Sequence, residues 1–419
     1  MPHEDPCWGK VAEVRRGSLA VGQMVCQRTD GVNLRCVTHE MLEERLCRCP
    51  IPHLELLILR GMNARRPNPA QLGYRMPAEW EPHQATWLSW PHNRASWPGA
   101  FEADEPVMAR AVAALATSET VHINVLDALH EARVRDFLDE ETLASVRFHR
   151  FPTNDAWCRD HGAIFVTRSP DQSEPLAALH FDYNAWGDKY PPYDLDRQVA
   201  RLMADVLEIP RFPGDMILEG GSIDVNGAGT LLTTEQCLLN PNRNPSLSRE
   251  DIETRLREML GTRQIVWLGD GIEGDDTDGH VDDLTRFVAE DAVVTVVEEN
   301  PNDVNHAPLA ANLERLHDVR LHDGRPLRII ELPMPAPVWH EDQRLPASYA
   351  NFYVANRVVL APVFADDNDA HAISTLEACF PERRVVPIDC RKLVVGLGSF
   401  HCLTQQVPEV PRAASAGRG

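Results

Sequence analysis

Four short stretches of this 419-residue chain bring together residue types that do chemistry in combination. Near the C-terminal end, Gly396-Leu-Gly-Ser-Phe-His-Cys402 runs into Thr404, Gln405 and Gln406. Gly396 and Gly398 permit close backbone approach just ahead of the cysteine, a setting that suits a ligand-facing thiol. An isolated cysteine is more often a small buried apolar residue. Here His401, Thr404, Gln405 and Gln406 are costly to bury without partners, so the segment is expected to line a cavity rather than fill a core.

The second stretch, Gly269 to Asp283, places five acids ahead of His280 and two, Asp282 and Asp283, after it. A calcium loop does not fit: with Gly279 at the turn position, Gly274 falls where the first carboxylate belongs and Thr285 where the last does. If Gly279 to Asp282 enter a strand, His280 and Asp282 project from one face, and an imidazole beside a carboxylate is a workable acid and base pair. The third, Asn154-Asp-Ala-Trp157-Cys-Arg-Asp160-His-Gly162, offers Trp157 as an apolar wall and Asp160 as a carboxylate. Taken singly, Asp160 with Arg159 or Arg168 reads equally as a surface ion pair of little energetic value. The fourth, Leu218-Glu219-Gly-Gly-Ser-Ile-Asp224, sets Glu219 at a strand end against a glycine pair that lets backbone or ligand come near.

The elements that must position these residues alternate short β-branched runs with amphipathic helices, an α/β pattern. One helical stripe is expected from Leu195, Val199, Leu202, Val206 and Leu207, another from Leu309, Leu313 and Leu316. Ser248 and Asp251 form a capping box for a helix running to Gly261. Strands are expected at residues 121–126, 146–151, 217–218, 231–234, 265–268, 293–297, 327–332, 358–363 and 385–388, with Asn226-Gly227 as a hairpin turn. Helix starts near Asp194, Ser248, Asn305 and Asp369 recur at roughly 55 to 65 residues, which suggests a repeated β/α unit without saying how the units are arranged.

Residues 1–70 stand apart. They hold five of the ten cysteines (Cys7, Cys26, Cys36, Cys47 and Cys49) in a spacing that matches no familiar zinc pattern. The expectation is a disordered or spurious extension, with Met62 as a second candidate start, then a catalytic domain over 71–408 and a disordered tail over 409–419. The cysteines are too dilute for a secreted disulfide framework, and no leader or membrane-spanning stretch is legible, so cytoplasm is the default. A net charge of −22 opposes phosphate backbones and favours cationic ligands, although acidity for solubility explains it as well. Neither a nucleic-acid nor a membrane partner is expected, and homo-oligomerisation stays open.

In this order, and together with Met76-Pro-Ala-Glu-Trp-Glu-Pro-His83, Leu238-Leu-Asn-Pro-Asn-Arg-Asn-Pro245 and Tyr349-Ala-Asn-Phe-Tyr353, the four stretches resemble the agmatine deiminases of the pentein superfamily. The resemblance implies a β/α propeller of five ββαβ-type units about a pseudo-fivefold axis, with the site in the central cavity. It implies Cys402 as nucleophile, His280 as general acid and base, Asp160 and Asp282 as guanidinium-binding carboxylates, and Glu219 as support for His280 and substrate. Trp157 and Gly398 would also contact the substrate, a small cationic guanidino compound, with neither metal nor cofactor. A guanidinium fork matches carboxylates two at a time, so two aspartates can fix its carbon in front of a thiol. The departures are Cys158-Arg-Asp-His-Gly-Ala163 for the usual Met-Arg-Asp-Thr-Gly-Pro, and Leu397, Ser399 and Phe400 in a loop that is usually glycine-rich. Both fall where a substrate's tail would lie. Peptidylarginine or free arginine deimination is the alternative within the superfamily, and a non-catalytic binding protein the alternative outside enzymes.

Overall fold

The computed structural model describes residues 67–410, together with the backbone of four short strands that precede them. Met1–Arg66 form a unit of their own, in which Gln23–Val25 pairs with Val37–Thr38 and Arg28–Thr29 with Val32–Asn33. Apart from those strands and residues 67–70, the expected extension, with its five cysteines and Met62, lies outside the described residues, as does the tail beyond residue 410. The larger unit starts at Pro67.

Five sheets in that unit repeat one strand order. In the first, β1 (His83–Ser89), β2 (Thr120–Val125) and β3 (Val146–Arg150) run parallel. Parallel neighbours need a crossover, and helix α1 (Phe101–Ala116) supplies it between β1 and β2. In the second, β4 (Ile164–Thr167) pairs antiparallel with β5 (Leu176–Asp182), and β5 pairs parallel with β6 (Arg211–Ile217) after helix α2 (Asp196–Leu207). The same antiparallel-then-parallel order recurs in β7 (Asp224–Val225), β8 (Thr230–Thr234) and β9 (Gln264–Leu268), with helix α3 (Arg249–Leu260) as crossover. It recurs again in β10 (Thr285–Ala289), β11 (Ala292–Val297) and β12 (Arg328–Pro333) around helix α4 (His306–His317). The fifth case is β13 (Tyr353–Val354), β14 (Val358–Val363) and β15 (Arg384–Asp389) around helix α5 (Asp369–Cys379). The last strand, β16 (Thr404–Pro408), returns to pair antiparallel with β1, opposing Thr404 to Leu88 and Gln405 to Trp87. The C-terminal strand thereby gives the first sheet the antiparallel partner that the others take from the preceding segment.

Local sequence accounts for much of this. Ser248 and Asp251 close a reciprocal capping box on α3, and Gly261 ends it in the left-handed region at φ 69°. Asn226-Gly227 opens the turn that folds β7 back on β8, with Gly227 at φ 68°. In β14 Val358, Val359, Leu360 and Ala361 are all buried, as a central strand covered on both faces requires. Two expectations need correction. On α2 the buried face is Val199, Ala200, Met203 and Ala204, while Leu195 precedes the helix and, like Val206, is exposed. That face packs against Ala85, Trp87, Phe165, Ala178 and Val407 in one apolar cluster, so the stripe is set by what the helix meets and not by its leucines. Gly279 to Asp282 is not a strand either: Val281–Asp283 is a single tight helical turn, and pairing begins only at Thr285. No helix among the described residues is long and apolar enough to cross a membrane.

Candidate active site

Each chemistry-bearing side chain sits on the turn just before the opening strand of a sheet. Asp160 lies on the turn Cys158–His161 ahead of β4, and Glu219 precedes the turn Gly220–Ser222 ahead of β7. His280 and Asp282 flank and occupy the turn ahead of β10, and Cys402 sits on the turn Phe400–Leu403 ahead of β16. The equivalent position ahead of β13 holds Asn351. Five separate turns therefore deliver one cluster, which the strands hold rigid.

Cys402 faces a cavity of about 200 Å³ whose walls include Trp157, Asp160, Trp186, Tyr190, Asp155 and Asp276. Asn351 Nδ2 donates to Cys402 Sγ at 3.0 Å and to Asp283 Oδ1 at 3.0 Å. Its Oδ1 accepts from Ser399 N at 3.2 Å, Ser399 Oγ at 2.9 Å and His401 N at 3.1 Å, so one amide pins the whole nucleophile turn. Asp282 Oδ2 stands 3.7 Å from the sulfur. A Cβ on Gly398 would lie 2.8 Å from the Trp157 ring and 3.1 Å from Cys402 Sγ, closer than packing allows, so glycine is what lets the loop pass between them. Trp157 is itself backed by Trp97, the rings stacked at 5.3 Å.

Across the cluster, Asp160 accepts from Gly221 N at 2.9 Å and Trp186 Nε1 at 3.0 Å. It is buried, and Arg159 turns away to Glu79, Gln405 and Gln406, so the surface ion-pair reading is excluded. Gly221 again marks a convergence: a Cβ there would sit 2.6 Å from His280 Nδ1 and 3.0 Å from both Asp160 and Asp282. His280 Nδ1 lies 3.9 Å from Asp160 Oδ1. Glu219 is held by Arg243 Nε at 2.6 Å, and its carboxylate, the Cys237 thiol and the His280 ring have donor atoms within 4.8 Å of one another. Both nitrogens of His280, Asp282 Oδ1 and Glu219 Oε2 are buried without a hydrogen-bond partner among the described residues. Four such orphans in one place are costly in a finished core and are what a polar ligand would satisfy.

The electrostatics are strongly biased. Burial, reinforced by Asp282, Asp283 and Asp160, pushes the Cys402 thiol well above its ordinary value, against a smaller opposing effect of the Asn351 hydrogen bond. Burial alone would lower His280, but Asp160, Cys237 and Asp282 together raise it well above the usual imidazole range. Asp160 is pushed up to about 6 by burial, with Asp282 and Glu219 adding to it and His280 opposing. Asp282 goes the other way: burial would raise it, and the bond from His401 outweighs that and lowers it. In the free protein the site thus favours a thiol, an imidazolium and an ionised Asp282.

The sequence-predicted set Cys402, His280, Asp160, Asp282, Glu219, Trp157 and Gly398 is brought together. The reading of the segment after Cys402 is corrected in part. His401, Thr404, Gln405 and Gln406 are buried, but they do not line the cavity. Arg159 bonds both glutamine side chains at 2.7 Å, Thr404 Oγ1 donates to Phe400 O at 2.7 Å, and His401 bonds two carboxylates. Partners on distant segments make the burial tolerable, which the local sequence does not display. Asn351, Arg243, Glu79 and Trp186 are site residues that sequence reasoning does not single out. Asn351, Arg243 and Glu79 lie in motifs noted only for their resemblance, and the repeated strand order is the signal that would have found Asn351.

Known proteins bear on this geometry. The sequence pattern of the Porphyromonas-type peptidyl-arginine deiminases matches residues 75–408. An agmatine deiminase of Ectopseudomonas mendocina is 38% identical over 360 residues, covering 80% of this chain and 96% of the relative. A solved agmatine deiminase of Enterococcus faecalis superposes with a TM-score of 0.76 at 32% identity, over 83% of this chain and 99% of that one. A cysteine-to-serine variant of a C. jejuni agmatine deiminase, solved with substrate bound, gives 0.73 at 32% identity over 80% of this chain and 97% of the other. With the match spanning nearly the whole of the larger unit and every turn of the cluster, the chain belongs to the Porphyromonas-type peptidyl-arginine deiminase family, among relatives that are agmatine deiminases.

Proposed function

We propose that this protein hydrolyses the guanidinium group of agmatine to N-carbamoylputrescine and ammonia through a covalent thiouronium on Cys402. Asp160 and Asp282 take the guanidinium N–H groups and set its carbon before the sulfur. Binding of the cation favours ionisation of Cys402, whose thiol proton is lost to solvent, and the thiolate adds to that carbon, which turns thiolate and cation into a neutral tetrahedral adduct. His280 gives its proton to one nitrogen, the C–N bond breaks, and ammonia leaves a thiouronium cation. The neutral His280 then takes a proton from water as the oxygen adds to the same carbon; the neutral adduct collapses, its hydroxyl proton passes to the departing sulfur, and the carbamoyl product leaves Cys402 as the thiol. Glu219, anchored by Arg243, orients His280 and the substrate. We also infer that the five sheets stand around a pseudo-fivefold axis as a pentein propeller. The repeated strand order and the return of β16 to β1 support that arrangement.

The convergence of Cys402, His280 and two carboxylates, with Cys402 and Asp160 on the wall of one cavity and His280 and Asp282 buried behind it, carries the reaction type. The cavity wall carries the substrate. It is acidic and aromatic, with Asp155, Asp276, Trp157, Trp186 and Tyr190, and among the described residues no lysine or arginine lines it. Arginine's carboxylate finds no partner there, whereas agmatine's distal ammonium does. Purified protein given agmatine, free arginine or an arginyl peptide should release ammonia from agmatine at a kcat/KM at least about 100-fold above the others. Equal or greater turnover of the peptide would replace this reading with peptidylarginine deimination.

The electrostatics add a pH prediction. Burial and carboxylates oppose the Cys402 thiolate in the free protein, while a bound cation beside the sulfur favours it. An unreactive guanidinium analogue should therefore lower the thiol pKa, read as thiolate absorbance in the ultraviolet that appears at lower pH when the analogue is bound. An unchanged or raised titration would mean that the substrate does not activate its own nucleophile.

A further inference from the structure

His401, next to the nucleophile, has an arrangement that the reaction scheme above does not use. Its Nδ1 is 2.7 Å from Asp282 Oδ2 and its Nε2 is 2.8 Å from Glu79 Oε2. The ring is buried. A neutral imidazole donates from one nitrogen only and would turn a lone pair towards the second carboxylate. The contradiction is removed if a carboxyl holds a proton or if the ring holds two.

The surroundings decide between these. Glu79 also accepts from Arg286 Nη2 at 2.9 Å, Arg159 Nη2 at 3.1 Å and Val354 N at 2.8 Å, and its carboxyl lies well below the usual range: burial opposes this, but Arg286 and His401 outweigh it. It is not the group that keeps a proton. Among the described residues Asp282 has no other donor within hydrogen-bond distance apart from the long thiol contact, and its Oδ1 has no partner at all. Asp160 and Asp283 stand close enough to disfavour its charge. His280 and Arg286 favour the charge from beyond hydrogen-bond distance, and His401, the one close side-chain N–H on Asp282 among the described residues, favours it most. Arg159 approaches the same residue's backbone, with Nε on His401 O at 3.1 Å.

We propose that His401 is a positioning residue: a doubly protonated imidazolium spanning Asp282 and Glu79 that keeps Asp282 ionised and fixes its orientation, leaving Oδ1 free for a guanidinium. Glu79 in turn is fixed by Arg159 and Arg286, so the orientation of a substrate-binding carboxylate is set by a buried charge relay reaching the Met76–Glu81 segment. The use of Oδ1 by a guanidinium rests on the function proposed above; the protonation state does not.

Two measurements test this. In the wild-type protein, nitrogen-resolved NMR of His401, identified from its assigned backbone, should show an N–H on both ring nitrogens between pH 6 and 8. One bare nitrogen at pH 7 would overturn the proposal. That measurement needs neither turnover nor a variant that folds, so it stands even if agmatine proves not to be the substrate. In His401→Gln, an amide bonds one carboxylate without supplying charge. KM for agmatine should rise about 10- to 100-fold, and the acidic limb of kcat/KM should move to higher pH by about one unit as Asp282 regains a proton. A folded His401→Gln protein with the wild-type KM and acidic limb would equally overturn it, because loss of packing alone does not move a titration.

Discussion

Cys402→Ala is expected to stop ammonia release from agmatine, with kcat/KM falling at least about 10⁴-fold. That loss corresponds to about 5 kcal/mol of transition-state stabilisation. The size follows from the absence of a substitute. The hydroxyls on the cavity wall, those of Ser96, Thr277 and Tyr190, are engaged with Asp155, Asp275 and Asp276, and Cys158, though near in sequence to Asp160, is buried and pushed by that burial to a pKa of about 12. Water held by Asp160 and Asp282 alone would have to attack a resonance-stabilised cation that resists nucleophiles. Binding should survive, because the carboxylates and Trp157 are untouched and removing the sulfur leaves the cavity wall standing. Calorimetry on the variant should find agmatine bound within about threefold of the wild-type affinity, an energy change below about 1 kcal/mol. Turnover above about 1% of wild type would show that the nucleophile lies elsewhere.

What the sequence reveals, and what it hides, follows from where the interactions lie. Cys402, His280, Asp160 and Asp282 are legible because each sits in a polar or glycine-containing turn that makes poor sense as core. Their supports are not. Glu79, Arg159 and Arg286 read as ordinary surface residues and Gln405 as part of a cavity wall, and only the fold shows them bonded to one another inside it. The strand Thr404–Pro408 is hidden for the same reason: Gln405 and Gln406 break an apolar pattern, and Arg159 offsets the energetic cost from the distant turn Cys158–His161. His83–Ser89 and Leu176–Asp182 are hidden too, because strands buried on nearly every residue show no period-two alternation. By contrast, the α3 cap and the Asn226-Gly227 turn are plain in the sequence, since their physics is contained within a few consecutive residues. The four helix starts signal a repeat, yet they do not reveal the fifth crossover, α1, or the closure of the first sheet by the last strand.

His280→Asn separates the two proton transfers assigned to one ring. Asparagine is close in size and still polar, but it cannot give or take a proton at neutral pH. With agmatine, kcat should fall about 10²- to 10⁴-fold, the range expected for losing general acid–base catalysis. A loss of that size does not say which half of the reaction failed. The S-methylisothiouronium analogue of agmatine does, because its methanethiolate leaves from the tetrahedral adduct without needing a proton from His280. Both substrates lead to the same thiouronium on Cys402, and only the route into it differs. The variant should therefore release one equivalent of methanethiol per site and then stall, with the amidino adduct visible as a mass increment on the peptide bearing Cys402. Wild-type protein should instead turn the analogue over continuously. His280 is well placed for this double duty: Asp160 and Asp282 hold it protonated in the resting site despite its burial, and the ammonia it protonates carries that proton away, leaving a base beside the carbon that water must reach. Steady turnover of the analogue by His280→Asn at close to the wild-type rate would assign water activation to another group, and Glu219, whose Oε2 is buried beside the same ring with no partner among the described residues, would be the first to test.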